Sequence, residues 1–148
     1  MLSKVSTESR RARRRGLTLI ELLVVVLVLA ILMAVALPPY LNSVSDAQTK
    51  TCRANMQSIA NAVEAAHIRG GFQASYFTGA VTSAAVGPGN ALADLQAVPA
   101  CPAGGSYTVA VSDGTATAHS GAIIPAGQPY VTCSVPTHGV YAPGIDSQ

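Results

Sequence analysis

The sequence predicts an α+β fold in which one long N-terminal helix packs against a small antiparallel β-sheet. Three observations predict this fold. Sixteen consecutive apolar residues occupy positions 22–37, and a segment with apolar residues at helical spacing follows them. From residue 70 onward the chain is rich in Gly, Ala, Ser and Thr, with short alternating stretches that are typical of strands and turns. A chain of 148 residues has room for one domain and an anchor.

The basic residues are concentrated at the N-terminus. Six of the nine Lys and Arg residues precede Gly16, whereas residues 17–148 contain three basic and six acidic residues, a formal charge of −3. Positive charge before an apolar helix favours a cytoplasmic N-terminus, so we expect residues 1–16 to be a cytoplasmic leader and the domain after the helix to be exported. Nucleic acid is held mainly by Lys and Arg contacts to phosphates. We therefore expect no direct nucleic-acid binding by the head, residues 70–148.

The apolar run is long enough to cross a membrane, since a span takes about 20 residues. We assign residues 17–40 as a transmembrane and assembly helix. Glu21 lies within this segment, where an ionised carboxylate costs about 3 kcal/mol on insertion scales, so we expect Glu21 to have a function. The alternative is an ordinary signal sequence. It would give an anchored binding domain if uncut, or a secreted one if cleaved after residues 34–36.

The helical pattern continues beyond Pro38 and Pro39. Each proline lacks an N–H group, so we expect a kink or local melting at this point. Residues 41–69 then read as an amphipathic helix that ends at the glycine pair following Arg69. Its apolar face is predicted to consist of Leu41, Val44, Cys52, Met56, Ile59, Val63 and Ala66.

The segment from Gly16 to Glu21, with the apolar run behind it and Pro38 in register, resembles the class III signal segment of type IV pilins and type II secretion pseudopilins. This resemblance implies that a prepilin peptidase cuts after Gly16 and methylates the new N-terminus at Leu17. It implies that Glu21 pairs with the N-terminal amine of a neighbouring subunit. Pro38 would mark the kink or melted segment of the filament.

The resemblance also implies a function, partners and a location. The protein would be a structural filament subunit, not an enzyme, and would need no cofactor. Its partners would be prepilin peptidase, other pilin or pseudopilin subunits in homo- or heteropolymers, and the inner membrane with its assembly machinery. We expect a single-pass protein of the bacterial inner membrane, with its head outside the cytoplasm, that later enters a periplasmic or cell-surface filament.

In the head we predict one short helix and a small sheet. Asn90 is placed to cap a helix over residues 91–98, which Pro99 would stop. The pair Asp113-Gly114 predicts a hairpin turn. Strands are predicted at residues 106–112, 115–119 and 130–134.

Three cysteines in an exported chain suggest one disulfide and one free thiol. Cys101 and Cys133 are the candidate pair, which would close a 33-residue segment and stabilise the fold by about 3–4 kcal/mol; Cys52 is the competing partner. We also considered a zinc site formed by Cys101, Cys133, His119 and His138. The spacings lack a paired C-x-x-C or H-x₃₋₅-H, so no metal site is predicted. The sequence has no nucleophile elbow, phosphate loop or close carboxylate pair, so no catalytic site is predicted either.

Overall fold

The computed structural model describes residues 17–71 and 75–146. Helix α1, Leu19–Arg69, is followed by strands β1 (Gly79–Ala80), β2 (Tyr107–Val111), β3 (Pro129–Cys133) and β4 (Val140–Tyr141), with a short 3₁₀ helix at Pro136–His138. One long N-terminal helix packed against a small four-stranded antiparallel sheet confirms the predicted α+β fold class. Gly16 and the rest of the leader lie outside the described residues.

The sheet is antiparallel throughout, with strand order β1-β2-β3-β4. The register of the central pair sets Tyr107 opposite Cys133 and Val109 opposite Val131. Successive side chains of a strand point to opposite faces, and these four residues share one buried face. They form one hydrophobic core together with buried residues of α1. Val111, at the end of β2, is 37% exposed.

The described residues fall into two compact units, one that ends at Leu41 and one that begins at Asn42. In the second unit, the buried residues of α1 are Cys52, Met56, Ile59, Ala60, Ala62 and Val63. The predicted apolar face is thus confirmed between Cys52 and Val63. Its N-terminal end was predicted too early, because Leu41 and Val44 are 57% and 37% exposed.

Helix α1 is continuous through both prolines. Leu37 and Tyr40, on either side of the pair, are helical, so the local melting that we considered is not seen in the single chain. The predicted stop is confirmed, because α1 ends at Arg69. Gly71 follows with a φ of 79°, a left-handed conformation that glycine adopts without a steric penalty.

The predicted helix at residues 91–98 is wrong, because this segment forms turns. The Asn90 side chain donates a hydrogen bond backward to the Val86 carbonyl (2.8 Å). It therefore does not accept a bond from the N–H groups that follow, as a helix cap would. Leu92 instead bridges to Val86 and is fully buried, so burial of one apolar side chain in the core outweighs the local helical preference.

The predicted hairpin at Asp113-Gly114 is also wrong in its second strand. The turn itself forms, since Asp113 Oδ1 accepts hydrogen bonds from the N–H and hydroxyl of Thr115 (2.9 and 2.6 Å). Residues 115–119, however, make only an isolated bridge from Thr117 to Ile123. Strand β2 pairs with β3 in their place, because β3 offers the longer alternation of buried residues. The third predicted strand, residues 130–134, is confirmed within one residue as β3.

Candidate functional site

Thr18 caps the start of helix α1. The backbone N–H of Glu21 donates to Thr18 Oγ1 (3.3 Å), and the N–H of Leu22 donates to the Thr18 carbonyl (3.2 Å). Glu21 thereby stands in the first turn of the helix, where the partial positive charge of the helix end favours a carboxylate. Our sequence interpretation missed this role of Thr18, although the spacing T-x-x-E is the signature of a capping box.

The first part of α1 is an exposed apolar surface. Leu19 and Val35 are 82% and 74% exposed, and every described residue from 17 to 47 is exposed. Within the described ranges, α1 is long and apolar enough to cross a membrane. Exposed apolar surface of this extent is rare on soluble monomers and marks contact with lipid or protein. Such a surface is suited to a membrane anchor.

A second notable arrangement lies where α1 meets the head. We call it the sulfur–imidazole cluster: Cys52, Cys101, Cys133 and His138. Cys52 comes from α1, Cys101 from the loop before β2, Cys133 from the end of β3, and His138 from the 3₁₀ helix. All four are buried, and their sulfur and ring nitrogen atoms lie within 4.8 Å of one another. The cluster therefore joins the helix to the sheet at four points of the sequence.

The distances within the cluster are short. Cys101 Sγ lies 3.8 Å from Cys133 Sγ, and His138 Nδ1 lies 3.3 Å from the first sulfur and 3.7 Å from the second. The Tyr107 hydroxyl donates to Cys52 Sγ (3.5 Å). It is held in turn by a hydrogen bond from the Asn55 side-chain amide (3.1 Å).

Local backbone features allow this close approach. A side chain at Gly105 would place its Cβ 2.8 Å from Cys133 Sγ, so the absence of a side chain at this position leaves room for that sulfur. The 3₁₀ helix, closed by a hydrogen bond from the His138 N–H to the Val135 carbonyl (3.0 Å), returns the imidazole toward the end of β3. The end of β3, the 3₁₀ helix and the missing side chain at Gly105 thus allow the donor atoms to meet beside Cys52 of α1.

The sulfurs of Cys52 and Cys101 differ in pKa. Burial raises the pKa of Cys52 to about 12. At Cys101, burial also raises the pKa, but hydrogen bonds from the backbone N–H groups of Ala103 and Gly105 outweigh this effect and lower the pKa to about 7. Of these two sulfurs, Cys101 is therefore the more readily deprotonated.

The structure brings some of the predicted site residues together and leaves others apart. Cys101 and Cys133 are neighbours, and both are free thiols, as is Cys52; their disulfide stays a prediction. His119, which we had considered beside them, is exposed and is not in the cluster. Cys52 takes that place, although its position on the apolar face of α1 had indicated only a buried thiol.

The other predicted site residues lie at the N-terminal end of the chain. Leu17 directly precedes the cap of α1, and Glu21 and Pro38 are within the helix. Gly16 lies outside the residues that the structure describes. Among these positions the structure therefore describes the helix start and the assembly candidates, but not the cleavage site.

Comparison with known proteins gives one match. Residues 11–37 match the prokaryotic N-terminal methylation motif. No curated protein and no solved structure shows significant similarity to the chain. The matched segment includes Gly16, Leu17 and Glu21 and ends with the apolar run, so the head lies outside it. The chain therefore carries the prokaryotic N-terminal methylation motif, the class III signal motif of type IV pilins.

Proposed function

We propose that the protein is a structural subunit of a type IV pilus-like filament, either a pilin or a type II secretion pseudopilin. The observation that carries this proposal is the coincidence of the methylation motif at residues 11–37 with an exposed apolar helix that has Glu21 in its first turn. The motif favours a structural role over an enzymatic one. The proposed partners are prepilin peptidase and other subunits of the same class.

The proposed life cycle has two stages. The chain is inserted in the inner membrane with the leader, residues 1–16, in the cytoplasm. Basic residues beside a membrane span stay on the cytoplasmic side, and six of them precede Gly16. Prepilin peptidase then removes the leader and methylates Leu17. Residues 17–40 span the membrane and later line the filament, residues 41–69 connect them to the head, and residues 70–148 form the head outside the cytoplasm.

Glu21 gives a physical reason for neighbouring subunits to assemble with one particular axial offset, or stagger, between their helices. In lipid an ionised Glu21 is unfavourable by about 3 kcal/mol on insertion scales. Pairing with the N-terminal ammonium of an adjacent subunit removes much of this penalty, whereas a mismatched stagger leaves two buried charges unpaired. The apolar side chains around it exchange lipid for protein contacts, so they supply packing but little preference for one stagger.

The experiment that tests the proposal is to determine the intact mass and N-terminal sequence of the protein from its native membrane and from sheared surface or periplasmic filaments. We expect a chain that begins at N-methylated Leu17 in both fractions. A chain that begins at Leu37 would identify an ordinary signal sequence. A chain that retains Met1 would equally contradict the proposal and leave an anchored binding domain as the alternative.

A pair of leader variants makes this test specific. Gly16→Val places a branched side chain at the proposed cleavage site, so we expect the unprocessed mass and no filaments. Ala12→Val makes a comparable change four residues earlier and should be processed normally. Equal processing of the two variants would show that cleavage does not depend on Gly16.

A further inference from the structure

We propose that Cys52, Cys101, Cys133 and His138 bind one zinc ion that fastens helix α1 to the sheet of the head. This proposal concerns the contact between α1 and the sheet and does not depend on filament assembly. Four buried donor atoms from three cysteines and one histidine converge within 4.8 Å. Three sulfurs and one nitrogen in a closed tetrahedral set are a donor combination that is typical of structural zinc sites.

The spacing of the donors agrees with tetrahedral coordination. With Zn–S of about 2.3 Å and Zn–N of about 2.0–2.1 Å, a tetrahedron separates two sulfurs by about 3.8 Å and a sulfur from a nitrogen by about 3.5 Å. The Cys101 and Cys133 sulfurs are 3.8 Å apart. His138 Nδ1 lies 3.3 and 3.7 Å from them, so three of the four corners already have this geometry.

Cys52 supplies the fourth corner. Its sulfur is within 4.8 Å of the other three donor atoms, and changes of at most about 1.3 Å in these distances give the tetrahedral spacing. Cys52 is fully buried in the centre of the α1 core face, so solvent has no access from this side. The site is closed, as a structural metal site is, and has no position left for a substrate.

The surroundings of the cluster favour bound thiolates. The Tyr107 hydroxyl donates to the Cys52 sulfur (3.5 Å). Hydrogen bonds from such groups around the ligands orient them and stabilise their negative charge. Zinc binds cysteine as the thiolate, so binding displaces whatever protons the sulfurs carry. No oxidant or reductant is involved.

A disulfide between Cys101 and Cys133 is the competing use of the same atoms. It would require an oxidant and a sulfur–sulfur distance of about 2.0 Å, where the structure has 3.8 Å. A disulfide would also leave the Cys52 sulfur and the His138 ring nitrogen buried beside it, and neither atom would take part in the bond. The metal accounts for all four residues, and the disulfide accounts for two.

The first test is the metal content of the full-length chain, purified in detergent with a reductant and without added chelator. We expect one zinc per chain by elemental mass spectrometry. Replacement by Co²⁺ should give the thiolate-to-cobalt charge-transfer band and the intense visible bands of tetrahedral cobalt. Absence of both stoichiometric zinc and this cobalt spectrum would overturn the proposal, and stoichiometric iron or copper would overturn the assignment to zinc.

Substitutions at two of the four residues test whether the cluster binds the metal. Cys52→Ser and His138→Asn should each lower zinc affinity by at least about 100-fold, because loss of a mere ligand-orienting partner typically costs about 10- to 100-fold. His119→Asn is the matched control, since His119 is exposed and outside the cluster, and it should retain one zinc. Retention of zinc by both ligand variants would contradict the site.

A measurement on the unaltered chain covers the case in which the ligand variants fail to fold. The three thiols should resist alkylation while zinc is bound and become reactive when a chelator is added to the folded protein. Thiol reactivity that a chelator leaves unchanged would contradict the proposal. Protein from the native membrane provides a last check. If it contains no zinc and its mass is lower by two hydrogens, the disulfide is the state formed there, and the zinc site is not.

Discussion

Asp146 is a buried carboxylate that joins two loops of the head. It is 7% exposed and accepts hydrogen bonds from the backbone N–H groups of Ala142 (2.9 Å) and Ser120 (3.0 Å). Burial raises the pKa of Asp146, but these backbone N–H groups outweigh burial and the resulting pKa is below its ordinary value. The folded protein therefore holds the charged form more strongly than the unfolded chain does.

This shift predicts a pH dependence of stability. Because the pKa is lowered on folding, Asp146 contributes stability above about pH 3.9, its unfolded value, and the contribution is lost as the pH falls through the folded value. Asp146→Asn should lower the free energy of unfolding at neutral pH by about 1–3 kcal/mol and weaken the loss of stability below about pH 4. Denaturant unfolding of the full chain in detergent at several pH values measures both effects.

Asp46→Asn is the control, because Asp46 is an exposed carboxylate on α1. It should leave the stability of the head within about 0.5 kcal/mol of the unaltered chain. An acid-induced loss as steep in Asp146→Asn as in the unaltered chain would contradict this role for Asp146.

At the scale of elements, the second half of α1 supplies the main surface on which the sheet packs. Met56, Ile59 and Val63 are fully buried on one face and belong to the same core as the sheet residues Tyr107 and Val131. Helix and sheet each have one apolar face, and neither can bury it without the other. The stability of the head therefore depends on the contact between these two elements.

Ile59→Ala tests this dependence. Removing a fully buried side chain from a packed core costs about 2–5 kcal/mol, so the free energy of unfolding should fall by that amount. Ile68→Ala makes the same change at a residue that is 57% exposed and should cost less than about 1 kcal/mol. Near-ultraviolet circular dichroism of the tyrosines during denaturation measures both variants. Equal losses would show that this face of α1 is not the core.

At the scale of the whole molecule, the first part of α1 and the head need different surroundings. The first part of α1 exposes apolar side chains from Leu19 to Leu37, which need lipid or other subunits around them. Residues of α1 and the sheet form a common buried core. The head, residues 70–148, contains no Lys or Arg. This division fits the proposed subunit, in which the helix polymerises and the head is presented outside.

Glu21→Gln tests assembly without altering the shape of the helix. It removes the charge that we propose to pair with the neighbouring N-terminal amine, so filament yield should fall by at least about tenfold, equivalent to about 1.4 kcal/mol per subunit contact. Processing to Leu17 should be unchanged. Filaments sheared from cells and quantified against total processed subunit provide the measurement.

Asp46→Asn is again the matched control, since it neutralises another exposed carboxylate of the same helix. It should assemble normally. If Glu21→Gln assembles as well as Asp46→Asn does, the charge of Glu21 has no part in assembly.

The sequence by itself determined the features that repeat locally. An apolar run and apolar residues at helical spacing predicted α1, two glycines predicted its end, and alternation predicted β2 and β3. The position of Glu21 in the methylation motif was likewise readable, because motif and helix start are contiguous in the chain. These features depend on residues that are near one another in sequence, so a single sequence contains the information for them.

The tertiary structure decided what depends on distant residues. Residues 91–98 have a plausible cap, yet burial of Leu92 and its bridge to Val86 turn the chain. Residues 115–119 follow a good turn, yet β2 pairs with the more apolar β3. The spacings of Cys52, Cys101 and His138 fit no metal motif. Packing of α1 on the sheet brings Cys52 to the other three donors, which the loops around β2 and β3 bring together. Such convergence is set by the three-dimensional core, and for that reason local pattern could not predict it.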